Sequence, residues 1–207
     1  MTWPTRCLRA SRKPGEDGLH DGIERKPFTG IERRTEAHFQ IAHPVMRRIR
    51  NQLLREARAL NPTHLLWLDA DMVVPPNAVS LLMRHRKGVV GGLYATRRPP
   101  QSMVLRKTWD WNPETEPFLD RTAPEEFSRV AFVGFGCVLT EVGVFQRIEE
   151  AVGRPVTFFS HARDPEGEDV YCCRIFHQFG EPIYLDPGCR CGHIGSAIYH
   201  PSPTSHA

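Results

Sequence analysis

The chain has 207 residues, 40% of them hydrophobic and 25% charged, which excludes a fibre or a disordered tail and suits one globular domain spanning 1–207 with a real core. No run approaches the roughly 20 consecutive apolar residues of a membrane span, and Met1 to Ala10 holds two arginines and no apolar stretch, so no membrane span and a cytoplasmic location are expected. Six cysteines, two of them adjacent at Cys172 and Cys173, fall short of a disulfide scaffold and read as reduced thiols.

Net charge is +3, but it is unevenly spread. Residues 1–60 carry 13 Lys+Arg against 7 Asp+Glu, residues 61–107 add a balance of +5, and the remainder stands at −8. No acid lies between Asp71 and Asp110, so one end of the molecule should attract anions. Arginine supplies 23 of the 27 cations; its planar fork suits phosphate, although a GC-rich genome produces the same bias.

Residues 7–36 are polar and punctuated by glycine and proline, which reads as an irregular or mobile segment. His38 to Ala42 has the length of a short strand. From Val45 to Leu60 the spacing predicts a helix with Val45, Ile49 and Leu53 on its apolar stripe and Met46, Leu54 and Ala57 alongside, stopped by Asn61-Pro62. Thr63 to Leu68 then forms a strand-length run that suggests burial on both faces. A helix over 77–87 closing at Gly88 and a strand over 89–95 follow. Strand, helix and strand in succession argue for an α/β fold with a mostly parallel sheet flanked by helices.

Beyond this unit, residues 97–129 read as an inserted loop or ribbon. Val130 to Leu139 resumes strand character around Gly134 and Gly136, and Glu141 to Glu150 forms a short helix. Glu168 to Phe179 makes a helix ended by Gly180, Ile183 to Leu185 makes a strand, and residues 200–207 form a tail.

The sharpest chemical feature is Asp69-Ala70-Asp71, two carboxylates at the C-terminal end of a strand, where open α/β sheets place ligands. Unpaired charges there are costly, and a hard divalent cation shared with substrate phosphates relieves them. The plain alternative is a turn-capping Asp69 beside a solvated Asp71. Similarly, Glu168-Asp169 at a helix start serves either as a proton acceptor or as ordinary dipole compensation.

These motifs, in order over about residues 39–195, resemble glycosyltransferases of the GT-A fold, particularly small bacterial and phage-type members. Asp69-Ala70-Asp71 looks like the family's DxD, which implies Mn2+ or Mg2+ and, through it, the diphosphate of a nucleotide-sugar donor. Arg50-Asn51 resembles the "RN" pair lining the nucleotide site, and Gly134-Phe135-Gly136 the glycine loop beside donor and acceptor. Gly167-Glu168-Asp169 resembles the xED motif, whose Asp is the base in inverting members, with Glu168 supporting it or the acceptor. His193 resembles the C-terminal histidine completing the metal site.

Pro4-Thr5-Arg6 looks like the Pro-Thr-Arg that meets the nucleotide after the first strand, but almost no chain precedes it here, so a shortened or partner-completed nucleotide pocket is expected. Arg97 and Arg98 would hold phosphate or an anionic acceptor, or else form a solvated basic loop. The resemblance implies a Rossmann-like GT-A domain and a metal-dependent, inverting transfer from a nucleoside diphosphate sugar, UDP-linked, to a hydroxyl acceptor. A hydroxymethylated DNA base of phage type is one such acceptor, which would place the protein in bacterial or phage-infected host cytoplasm.

Two readings compete. Cys172, Cys173, Cys189, Cys191 and His193 hold enough soft ligands for zinc, but no CxxC spacing is present, and the adjacent pair points about 100° apart on a helix. The other is a noncatalytic nucleic-acid-binding or structural α/β domain with an incidental Asp pair. Oligomeric state is not legible in the sequence.

Overall fold

The computed structural model describes residues 34–97, 101–110, 119–160 and 167–201, with side chains from residue 44 onward. The chain divides into two units, Met1–Ala37 and His38–Ala207, and the sheets and candidate site belong to the second. The expected irregular segment over 7–36 and the Pro4-Thr5-Arg6 motif fall almost wholly outside the described residues, as do Arg98 and most of the tail.

Helix α1 runs Arg34–Arg58, strand β1 His64–Leu68, β2 Met72–Val73, helix α2 Ala78–Met83 and β3 Val89–Leu93. After β4 (Leu105–Arg106), β5 (Ser128–Val130) and β6 (Phe132–Val133) come β7 (Cys137–Glu141) and helix α3 (Val142–Val152). Helix α4 (Glu168–Gln178), β8 (Ile183–Arg190), β9 (Gly192–Ile194) and β10 (Ile198–Tyr199) complete the described chain.

The central sheet has the order β1-β7-β3-β8-β5. Every neighbour in it is antiparallel except the pair β3 and β8. The fold is mixed α/β, and the mostly parallel sheet expected from the sequence is corrected. Strands β1 and β3 do run in the same direction, as a strand–helix–strand unit requires, but antiparallel β7 inserts between them. A pattern of local periods carries no record of which later strand returns to fill that gap. Two small antiparallel sheets, β10-β9-β2 and β4-β6, flank it.

Side chains alternate across the sheet as its pleat demands. Val89, Val138, Ile183 and Leu185 join a large core with Trp67, Phe135, Phe145, Phe158, Phe159 and Phe176. Val90, Cys137, Leu139 and Tyr184 face a smaller core with Ala78, Leu82 and Tyr94. The aromatic rings of the larger core meet edge to face, with Phe145 and Phe158 centroids 4.8 Å apart at 85°.

Several local expectations are corrected. His38 to Ala42 lies within α1, because Pro44 is accommodated inside the helix rather than starting it. Val45, Ile49 and Leu53 of the expected stripe are exposed; Leu54, beside them in it, is buried, and so is Arg50. The helix therefore presents arginines inward, with Arg58 stacked over Phe145 and Phe158 at 5.7 Å from each ring. Strand β1 sits at the sheet edge with only Trp67 buried, not covered on both faces. Helix α2 stops at Met83, and the left-handed residue after it is Arg86, with φ 50°. Gly180 does end its helix in the left-handed region, at φ 72°. Trp109 covers a core edge, as tryptophans at a ribbon usually do, and carries the Arg174 guanidinium 4.5 Å from its ring.

Trp67 bridges the edge strand to its neighbour by donating Nε1–H to Thr140 Oγ1 at 3.0 Å, both residues being buried. Trp67→Phe should lower unfolding free energy by about 1–3 kcal/mol, because the Thr140 hydroxyl loses its donor. Adding Thr140→Val should recover part of that loss. Urea denaturation of the two single variants and the double variant measures both effects.

Candidate active site around Arg50 and Asp71

The candidate residues gather in two adjoining groups. The first is built on Arg50, only 5% exposed, at the inner face of α1. Its Nη2 donates to Asp69 Oδ1 at 3.0 Å, and its Nη1 stands 3.0 Å from Glu168 Oε1. The guanidinium also lies over the Phe135 and Phe159 rings, 5.4 and 5.9 Å from their centroids, so its face is covered while its edge meets carboxylates.

Asp169, next to Glu168 in the first turn of α4, has its pKa pushed up to about 6. Burial is the chief cause and the neighbouring Glu168 charge the second, with Arg50 pulling the other way. The Asp69 carboxyl is also raised, by burial against the opposing pull of Arg50. A carboxylate ionising near neutrality at a helix N-terminus is able to accept a proton in catalysis.

The second group is built on sheet pairing. The chain turns after β1, with Met72 N–H donating to Asp69 O at 3.2 Å. Strand β2 then pairs with β9, placing Met72 opposite His193, and Ile194 N–H donates to Asp71 O at 2.8 Å. His193 Nε2 consequently lies 3.5 Å from Asp71 Oδ2, although the two residues are far apart in sequence. The other ring nitrogen, Nδ1, is 2.9 Å from Ala95 O. A carbonyl only accepts, so Nδ1 carries the proton and Nε2 points at the carboxylate either protonated or with its lone pair. A lone pair facing a carboxylate is favourable only with a cation between them, and a backbone carbonyl fixing the far nitrogen is the usual support of a metal-ligating histidine. Arg97 Nη1 donates to the same Asp71 Oδ2 at 2.6 Å.

The structure thus brings Asp71, His193 and Arg97 together, and separately Arg50, Asp69, Glu168 and Asp169. It does not close Asp69, Asp71 and His193 into one set. Among the described residues no ligand atoms of these three lie mutually within 4.8 Å, and Asp69 turns toward Arg50. Ala70 is exposed at the turn between the two aspartates.

Asn51 holds structure rather than facing a cleft. Its amide donates to Arg47 O at 2.9 Å and to Phe159 O at 2.6 Å, and its Oδ1 accepts Phe159 N–H at 3.2 Å. Gly134 and Gly136 make room for Tyr94, whose hydroxyl accepts the Gly136 N–H at 3.1 Å. A Cβ on Gly136 would stand 2.8 Å from Tyr94 Cζ and 3.1 Å from Met72 Sδ, and one on Gly134 would strike the Tyr94 hydroxyl.

Sequence reasoning misses Tyr94 and the depth of Arg50. Neither carries a positional signal of its own, since a tyrosine after a strand and an arginine in an arginine-rich helix are unremarkable until their neighbours are known.

No family model matches the chain, and no curated protein matches it. Among solved structures it is similar to the crystal structure of A197 from STIV, with 16% identity, 78% of each chain covered and a TM-score of 0.46. A likeness of that size bears on neither fold nor activity.

Gly134→Ala should destabilise the protein by about 1–3 kcal/mol through overpacking against Tyr94, read as a lower midpoint in urea, and Tyr94→Phe should not rescue it because Val104 crowds the same point. Arg50→Ala should cost about 3 kcal/mol at pH 7.5 by stranding buried carboxylates. The deficit should shrink toward pH 5 as those groups take up protons, which unfolding curves at the two pH values compare.

Proposed function

We propose that the protein transfers a sugar from a nucleoside diphosphate donor, UDP-linked, to a hydroxyl acceptor with inversion, aided by a divalent cation. The observation that carries this reading is the approach of His193 Nε2 to Asp71 Oδ2 at 3.5 Å, with Nδ1 engaged by Ala95 O. An imidazole nitrogen beside a carboxylate oxygen suits Mn2+ better than Mg2+, which prefers oxygen alone.

Asp71 and His193 would hold the ion, with Asp69 turning from Arg50 to join them. When bound, the cation would neutralise charge growing on the departing diphosphate. Arg97, at the same Asp71 oxygen and exposed to solvent, would exchange that carboxylate for a phosphate oxygen. Asp169 would take the acceptor hydroxyl's proton as the new bond forms. Glu168, held by Arg50, would fix the first turn of α4 that carries it.

The titratable and charged groups facing Asp169 are Glu168, Cys172 and Cys173 on its own helix, Arg50 from α1, Asp69 beyond β1 and Tyr94 beyond β3. Arg50 lowers its proton affinity, as does the Val170 N–H that donates to Asp169 Oδ1 at 2.8 Å. The base works ionised, so kcat should rise with pH through about 6 and level off above it. An acceptor hydroxyl on a modified base of duplex DNA fits the basic first half of the chain, and binding to it should then weaken steeply as salt rises.

Thermal denaturation with Mn2+ and UDP tests the reading. A ligand at 100 times its Kd stabilises by about 2.7 kcal/mol. Asp71→Ala and His193→Ala should abolish the shift, whereas Asp169→Asn should keep it and lose turnover of a nucleotide-sugar panel. No shift in the wild-type chain, or normal turnover by Asp169→Asn, would overturn the assignment.

A further inference from the structure

Three cysteines that lie far apart in the sequence meet inside the smaller core. The Sγ atoms of Cys137, Cys189 and Cys191 are all within 4.8 Å of one another, and all three residues are fully buried. This convergence is not what the sheet order alone would give. Cys137 is on β7 and Cys189 on β8, and β3 runs between them, a separation of about 9–10 Å at ordinary strand spacing.

Two features close that distance. The residue of β3 between them is Gly92, where an added Cβ would stand 3.1 Å from Cys189 Sγ and 3.2 Å from Cys191 Sγ. A side chain there would require the two sulfurs and the Cys189 carbonyl, 3.0 Å away, to give way. Strand β8 also breaks register with β3 between Gly92, opposite Asp186, and Leu93, opposite Arg190. The looped-out residues bring Cys189 over the glycine.

That bulge is itself held. The buried Asp186 accepts Gly188 N–H at 2.8 Å and is met by Arg84 at 3.1 Å and His85 at 2.9 Å. Cys191 is fixed next, its N–H donating to Leu93 O at 2.8 Å. The Cys191 thiol turns back on its own loop, donating to Cys189 O at 3.7 Å.

We propose that Cys137, Cys189 and Cys191 form a structural site for one thiophilic divalent cation, Zn2+, that ties β7 to β8 across Gly92. Thiolate sulfur selects such ions over Mg2+ or Mn2+. Zinc–sulfur bonds of about 2.3 Å in a tetrahedron set the sulfurs about 3.8 Å apart, so the thiols need only a small contraction. Each zinc–sulfur bond forms as a thiol proton leaves to solvent, with no change of oxidation state. Among the described residues no fourth His, Cys, Asp or Glu atom joins the cluster. Cys172 and Cys173 are buried in the other core and take no part. The soft-ligand set that the sequence spacing argued against differs from this one, which includes Cys137 and omits Cys172, Cys173 and His193.

The test is elemental analysis of the full chain purified without chelator, followed by Co2+ titration of the chelator-stripped chain. The expected results are one zinc per chain and an intense near-ultraviolet sulfur-to-cobalt band. Cys137→Ser and Cys191→Ser should lose both signals, while Cys172→Ala and Asp71→Ala keep them, which separates this site from the proposed Asp71–His193 centre. Should the serine variants fail to fold, the wild-type titration decides alone. Absence of the cobalt band in the wild-type chain, retention of zinc by a folded Cys137→Ser, or a disulfide among these three cysteines in freshly purified protein would overturn the proposal.

Discussion

One buried guanidinium organises the carboxylates of the candidate site. Arg50 reaches inward from α1 beneath two phenylalanine rings and meets Asp69 from the end of β1 and Glu168 from the start of α4. Removing a cation from water is expensive, and the enclosure persists because opposite charges and aromatic faces replace the lost hydration. The same arrangement leaves a charge deficit. One cation faces Asp69, Glu168 and Asp169, so the carboxyls cannot all ionise as easily as in water. The elevated proton affinities of Asp69 and Asp169 follow from burial and that shortage together.

The two sheets position the remaining groups by different means. Asp69 and Asp71 leave the edge of the central sheet in a single turn, yet one is drawn toward the helical layer and the other toward β9. Pairing of β2 with β9 places His193 beside Asp71, and Ala95, just past β3, orients its ring. The strand that ends in Cys189 and Arg190 leads within two residues into β9, so the thiol cluster and the imidazole share one short stretch of backbone.

Most of the element types could be read from the sequence. Helices α3 and α4 and strands β1 and β3 carry clear periods and clear stops, and their bounds differ from expectation by one or two residues; β8 starts as expected at Ile183 but runs past Leu185, through Pro187 and Gly188, to Arg190. What could not be read is pairing. The sequence around Val130 to Leu139 looks like one strand, but Gly134 to Gly136 interrupts it, and the second half returns antiparallel between β1 and β3. In α1 the apolar spacing located Leu54 but not Arg50 on the buried side, since an arginine reads as exposed until its carboxylate partners are known. The Asp71 and His193 pairing was legible only through resemblance. Cys137 carried no signal, since its partners lie some fifty residues away across an intervening strand.

The link from Asp69 through Gly136 to Tyr94 has a mechanical meaning. Asp69 N–H donates to Gly136 O, Gly136 N–H donates to the Tyr94 hydroxyl, and the Tyr94 ring stands edge-on to His193 with centroids 5.5 Å apart. The glycine segment cannot hinge by itself: a displacement there pulls on the backbone of one acidic residue and pushes, through a phenol ring, on the histidine. Local breathing at this loop would thus be felt at once by the Arg50 group and the Asp71–His193 group.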